Sequence, residues 1–401
     1  MMNKDVNALC TLSKLISPAI NDQKRLRDLI LSNDICWNDI IDCANQNMLI
    51  PALYDALHQH DLLKLIEEKL IVEYLFTVYE LNRVRSEAIL VQTQKICHLF
   101  SQINVTPVLL KGVAVLGEGY YHTIGARVMI DIDILVPEND IIKCIELLES
   151  KGGYRPVDSK KVWTKASWET GHHHYRRIYH EDGVAPLELH RRPTESAFFS
   201  NTILMKHLRP SKTIENAYII EPTFEVYHSF LHSEISHQYH KDYILELRNL
   251  HHAVVVATVC EKEMDWDLLT QEIERHKLSS MWSDYIYMLR ELFEQELPDK
   301  MLGTKRHFKM ILYFIEKNDT KKSRYLLYAI FLKDILSYKS LKKRYNFKSK
   351  LVYPLVLIYY LISRLLKFGF LKEGRKTLAD FFVRMMDAKR YGGTPTVFLD
   401  T

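Results

Sequence analysis

Cysteine is scarce: six in 401 residues, at positions 10, 36, 43, 97, 144 and 260, with no CxxC pair and no regular framework. That excludes a disulfide scaffold and a thiolate metal ribbon, and leaves reduced thiols, most of them in the core. No signal-peptide pattern stands ahead of them, so the expected location is cytoplasmic. Only 13 glycines and 12 prolines interrupt the chain, which argues for much helix. No hydrophobic run is long enough to span a bilayer. The most apolar stretch, Leu351 to Ser363, contains Pro354 and is cut off by Arg364 and Lys367. Internal repeats and low-complexity tracts are absent, as are a Walker loop, a GxGxxG fingerprint and a Ser-His-Asp pattern.

What is present is ordinary soluble composition, 47% hydrophobic and 26% charged, with an uneven charge distribution. From Lys300 to Lys376 there are 20 lysines and arginines against 4 acids, a local +16; with a net charge of +4, the rest of the chain carries −12. Length and pattern together predict three parts: a helical lobe over 1–100, a core of mixed strand and helix over 101–195, and a larger helical, basic lobe over 196–401. Apolar residues at three- and four-residue spacing predict helices in Leu9 to Ile20, Leu26 to Ile35, Trp37 to Ala44 and Leu62 to Phe100. Thr223 to Cys260, Trp266 to His276, Trp282 to Glu296 and Phe308 to Tyr338 follow in the last part.

The chemistry gathers between Val108 and Val136. Asp131 and Asp133 lie one residue apart in Met129-Ile130-Asp131-Ile132-Asp133-Ile134-Leu135-Val136. Strand side chains repeat with period two, so both carboxylates share a side. Like charges this close repel unless a cation lies between them, and hard oxygen ligands suit Mg²⁺ or Mn²⁺. Upstream, Val108-Leu109-Leu110 reads as a short buried strand, Lys111-Gly112 as a turn, and the segment to Tyr121 as a helix. Glycine at a helix start lets an anion approach free backbone N–H groups, and Lys111 adds a point charge. Downstream, Asn139 to Ser150 is an amphipathic helix ending at Lys151-Gly152-Gly153. His173 to Tyr179 and Val184 to His190 suggest a hairpin turning at His180-Glu181-Asp182-Gly183.

Strand, Lys-Gly turn, helix and then a strand with two aspartates resembles the DNA polymerase beta-like nucleotidyltransferases. Leu110-Lys111-Gly112, Arg127 and Asp131 to Val136 resemble, within them, a bacterial branch known as uncharacterised nucleotidyltransferases. The resemblance covers about the first 275 residues. It implies an α+β fold with a small mixed β-sheet between helical lobes, and a third carboxylate on a neighbouring strand, at Glu188 in Leu187-Glu188-Leu189-His190. It further implies that Asp131, Asp133 and Glu188 are catalytic and hold divalent metal, while Lys111, Gly112, Arg127 and His190 line the nucleotide. Arg127 pairs with a phosphate or braces the metal strand. The donor is an NTP, ATP first among them, with Mg²⁺ or Mn²⁺ as cofactor and two ions clamping the attacking and leaving oxygens. The family usually has an acid after Leu-Arg-x-Leu; this chain has His251 and His252 there.

His172, His173 and His174 fit a polar strand beside a nucleotide cleft, or, with His190, a zinc site needing further ligands. The expected acceptor is acidic or hydroxyl-bearing: a small molecule, a peptide or a protein. The basic C-terminal part leaves open a nucleic-acid acceptor, or peripheral contact with an anionic membrane on its inner face. A catalytically weak nucleotide-binding module is the rival on the same fold.

Overall fold

The computed structural model describes residues 3–32, 35–156, 173–195, 198–298, 303 and 305–317. Residues up to Glu316 form one compact unit, and the stretch from Leu351 to Ser363 and most of the basic segment lie outside the described residues. Among the described residues, fourteen helices accompany one seven-stranded mixed sheet, an α+β architecture. Among the described residues no helix is long and apolar enough to cross a membrane.

Four helices open the chain: α1 (Lys4–Leu15), α2 (Gln23–Ile30), α3 (Trp37–Gln46) and α4 (Ile50–Gln59). Asn3 and Asp22 cap the first two, and Pro51 sits in the first turn of α4, where its missing N–H costs nothing. The long helix α5 (Lys69–Ser101) has 33 residues, about 50 Å at 1.5 Å per residue. Its buried row of Leu75, Tyr79, Asn82, Ser86, Ile89, Thr93, Ile96 and Phe100 faces inward. Asn82, a polar member of that row, proves to be a tie to a neighbouring loop.

The sheet runs in the order β3-β4-β5-β2-β1-β7-β6. At its centre β2 (Ile132–Leu135) lies between β1 (Val108–Leu109), antiparallel, and β5 (Leu187–His190), parallel. Helices α6 (Lys111–Leu116) and α7 (Ile141–Ser150) follow β1 and β2, and β3 (Tyr154–Pro156) pairs with β4 (Ile178–His180). The hairpin into β5 exists, in a shorter form than the sequence suggests: β4 meets β5 at Ile178 opposite Leu187, and a single bridge joins His174 to His190.

Beyond residue 196 the chain is not wholly helical. After α8 (Asn201–Leu204), the strands β6 (Leu208–Pro210) and β7 (Tyr218–Ile220) form an antiparallel pair, and β7 extends the sheet alongside β1. Three residues are too few to display an alternation, so these strands leave no periodic signal. Glu118 fixes their connection by accepting hydrogen bonds from Ser211 Oγ and the Lys212 N–H, both at 2.8 Å. The segment read as one helix from Thr223 to Cys260 is broken into α9 (Pro222–Phe230), a π-helical turn (Leu231–Ser236), α10 (Tyr239–Asp242) and α11 (Leu247–Val259). Gln238 and Tyr243, both left-handed, bracket α10. Then come α12 (Trp266–Arg275), α13 (Ser279–Phe293) and α14 (Lys305–Lys317). First and last parts pack together: Ser17 Oγ donates to the Phe293 carbonyl at 2.5 Å, and His251 Nε2 contacts the Ile16 carbonyl at 3.0 Å.

Candidate active site

The parallel register of β2 and β5 sets Asp133 directly beside Glu188. Neighbouring residues on adjacent strands project to the same side, so both carboxylates enter one pocket. Asp131 precedes β2 by one residue and reaches the same place. Its side chain is 20% exposed, against 4% for Asp133 and 9% for Glu188, so the pocket opens on the Asp131 side. Asp133, Glu188 and His190 bring ligand atoms within 4.8 Å of one another. Two carboxylates and one imidazole, with Asp131 at the open side, are a donor set a divalent cation can accept.

Two basic side chains balance these acids. Lys111 Nζ lies 2.8 Å from Asp133 Oδ1. The guanidinium of Arg177 bridges the other two, with Nε 2.6 Å from Glu188 Oε1 and Nη2 2.7 Å from Asp131 Oδ2. The carboxyls respond unequally. Burial, and then the Asp133 and Glu188 charges, push Asp131 up to about 6 against the pull of Lys111 and Arg177. Burial alone would also raise Asp133, but Lys111 and the hydrogen bond from His190 overcome it and hold that carboxyl well below the usual range. Lys111 is raised in turn: burial works against its charge, and Asp133 outweighs it.

His190 is fully buried, its Nε2 2.8 Å from Asp133 Oδ1. Burial keeps the ring neutral, and a nitrogen facing an anionic oxygen must carry the hydrogen, so Nε2 donates. Its Nδ1 is buried without a partner. The rings of His173 and His174 pack on it, with centroids 5.3 and 5.2 Å away, and burial pushes His173 down to about 2. His174 Nε2 comes within 4.0 Å of Glu188 Oε2. His172 lies outside the described residues.

The Lys-Gly turn abuts this pocket. Lys111 has a left-handed backbone, φ +54°, which bends the chain from β1 so that its side chain returns to β2. Gly112 is required by crowding: a Cβ there would lie 2.7 Å from Met129 Cγ and 3.4 Å from Arg127 Nε. Arg127 therefore stands beside the turn. Its Nη1 donates to the Tyr121 hydroxyl at 3.4 Å, its buried Nε has no hydrogen-bond partner, and among the described residues it makes no ion pair; Asp131 is paired with Arg177 instead.

Helix α5 holds these loops. Asn82 donates to the carbonyls of Gly125 and Arg127 at 2.8 and 3.0 Å, and Arg85 to those of Met129 and Ile130. Gln92 donates to the Ala185 carbonyl at 2.9 Å and accepts from the Val184 N–H at 3.0 Å, on the approach to β5.

The model of one protein family, described as uncharacterised nucleotidyltransferase, matches residues 33–294 of this chain. The chain belongs to that family. No curated protein and no solved structure matches it. In this chain the positions after Leu247-Arg248-Asn249-Leu250 are both buried histidines, and the nearby carboxylate comes from another helix. His252 Nε2 meets Glu225 Oε1 of α9 at 2.9 Å, while its Nδ1 lies 3.4 Å from the Tyr121 hydroxyl that Arg127 also contacts. Glu225 is raised by burial, partly offset by His228, Arg127 and Lys111. Arg177 and Glu225 were not singled out in the sequence. The only signal for Arg177 was its place in the arm leading to an acidic strand, and Glu225 had none beyond a helical apolar pattern.

Proposed function

We propose that this nucleotidyltransferase moves a nucleoside monophosphate from an NTP, ATP first among them, to a hydroxyl-bearing or acidic acceptor, with pyrophosphate leaving. One observation carries the reading: the β2–β5 register that sets Asp133 beside Glu188, with Asp131 tied to Glu188 through Arg177. Asp131, Asp133 and Glu188 would hold Mg²⁺ or Mn²⁺, which supplies charge neutralisation at the triphosphate and lowers the pKa of the attacking hydroxyl. Asp133 stays ionised because Lys111 and His190 stabilise its anion; His190 acts on the nucleotide through Asp133, being buried behind it. Glu188 would accept the acceptor's proton. Gly112 lets the triphosphate approach the backbone, and Lys111 and Arg127 stand beside it as cations for its non-bridging oxygens. Arg177 is the more exposed cation, with 47% of its side chain accessible, and it is free to turn from the carboxylates to a phosphate.

A specific observation favours a second reading. Each carboxylate already has a basic partner, as expected of a protein that binds an anionic ligand without turning it over. One experiment separates the two. The purified chain with Mg²⁺ and each of four α-labelled NTPs, added to cell extract, is expected to release pyrophosphate and label an acceptor whose mass shift identifies the donor. Asp131→Ala with Asp133→Ala is expected to abolish the labelling, and equal activity in that double variant overturns the proposed chemistry.

A further inference from the structure

We propose that His240, Asp284 and His307 form a second metal site, of the Zn²⁺ type, separate from the carboxylate pocket. Each offers one ligand atom, and the three atoms lie within 4.8 Å of one another. They come from three elements, α10, α13 and α14, and all three residues lie within the compact unit ending at Glu316. His240 Nε2 is 2.9 Å from Asp284 Oδ2. The His240 and His307 rings stack at 3.9 Å and 5°, and Tyr243 stacks beside His307 at 4.9 Å.

One feature points to a ligand rather than to a plain packed cluster. His307 is 8% exposed, yet its Nε2 has no hydrogen-bond partner. A buried imidazole nitrogen with nothing to bind is uncommon, and a cation would satisfy it. The donor chemistry then selects the ion. Two imidazole nitrogens and one carboxylate oxygen suit Zn²⁺, whereas Mg²⁺ prefers an all-oxygen shell.

Stacked rings direct their lone pairs side by side, so one ring must turn for both to converge. The geometry assigns that movement to His240. Its side chain is 22% exposed, and its four-residue helix lies between two left-handed residues, Gln238 at φ +57° and Tyr243 at φ +54°. Three protein ligands leave a fourth position for water. Bound to these three side chains, the ion would tie α14 to α10 and α13, so that its binding energy also becomes folding energy.

The test uses the full chain, stripped with a chelator and titrated with Zn²⁺ in excess Mg²⁺, added to compete for the carboxylate pocket. One equivalent of Zn²⁺ is expected to bind and raise the melting temperature. Co²⁺ in its place should show the intense visible absorption of a four-coordinate site. His240→Gln and Asp284→Asn should each weaken Zn²⁺ binding at least about 100-fold, remove the absorption and abolish the rise in melting temperature, while Mn²⁺ binding at the other pocket is unchanged. Circular dichroism identifies any variant that fails to fold, and the two substitutions serve as independent checks. Absence of Zn²⁺ binding to the wild-type chain, or unchanged binding in both folded variants, overturns the proposal.

Discussion

Arg177→Met isolates the competition between a side chain and a metal ion for the same carboxylates. The guanidinium contacts Glu188 and Asp131 at 2.6 and 2.7 Å. An exposed ion pair contributes about 0–1 kcal/mol; two charge-assisted contacts to carboxylates only 9% and 20% exposed raise this to about 1–2 kcal/mol, since Arg177 itself is half-exposed. A divalent ion taking those oxygens must first displace the guanidinium, and its apparent affinity is weakened by that amount. Every 1.4 kcal/mol is a factor of about ten, so Arg177→Met should bind Mn²⁺ about 5- to 30-fold more tightly. The same change should lower the stability of the metal-free protein by about 1 kcal/mol. Calorimetric titration with Mn²⁺ at pH 8 is the assay, because Asp131, raised to about 6, is then ionised. Weaker or unchanged Mn²⁺ binding in the variant would refute the reasoning, by showing that the ion binds elsewhere or that Arg177 belongs to its site.

Other consequences can be checked separately. Burial raises the Glu234 carboxyl from 4.5 to about 8, so the native state keeps a proton that the unfolded chain has lost. Its stabilising effect is complete below pH 4.5 and is lost as pH rises through 8, on the order of 5 kcal/mol in all. Glu234→Gln should flatten the fall in denaturation stability between pH 5 and 8.5, and parallel slopes would contradict the assignment. Lys111→Met strands a buried anion at Asp133 and should cost about 3 kcal/mol, most of it recovered in Lys111→Met with Asp133→Asn; urea melts that add simply would argue against the coupling. Among the cysteines, Cys36 is exposed, while burial pushes Cys97 and Cys144 up to about 12. Alkylation of the native protein at pH 8 should therefore modify Cys36 first, and equal rates at Cys97 would mean that the core does not close over it.

Legibility in the sequence followed the distance over which each feature is encoded. Helix α5 carries its pattern through 33 residues, and the Asp131–Asp133 pair sits inside an unbroken apolar run, so both can be read locally. Glu188 required a resemblance, because one acid in a four-residue strand carries no mark of which strand lies beside it. Arg177 was out of reach for the same reason: its partners are 46 and 11 residues away, across strands whose order the sequence does not state. The two three-residue strands β6 and β7 fell below the length at which alternation is visible. Lys111 was singled out for its charge, yet its left-handed backbone turns that charge back onto Asp133, and lysine has no preference announcing such a bend.

One rod locates both sides of the pocket. Asn82 and Arg85 grasp the chain just ahead of Asp131, while Gln92, seven residues on from Arg85, grasps the entry to β5. Successive residues of a helix are about 100° apart, so deleting one residue between Arg85 and Gln92 would swing the second grip a quarter-turn from the first. The two acidic strands would then be surveyed from different benchmarks. Substitutions on the outer face of α5 leave that alignment intact, and drift there is free to be wide while the spacing of the three ties stays fixed.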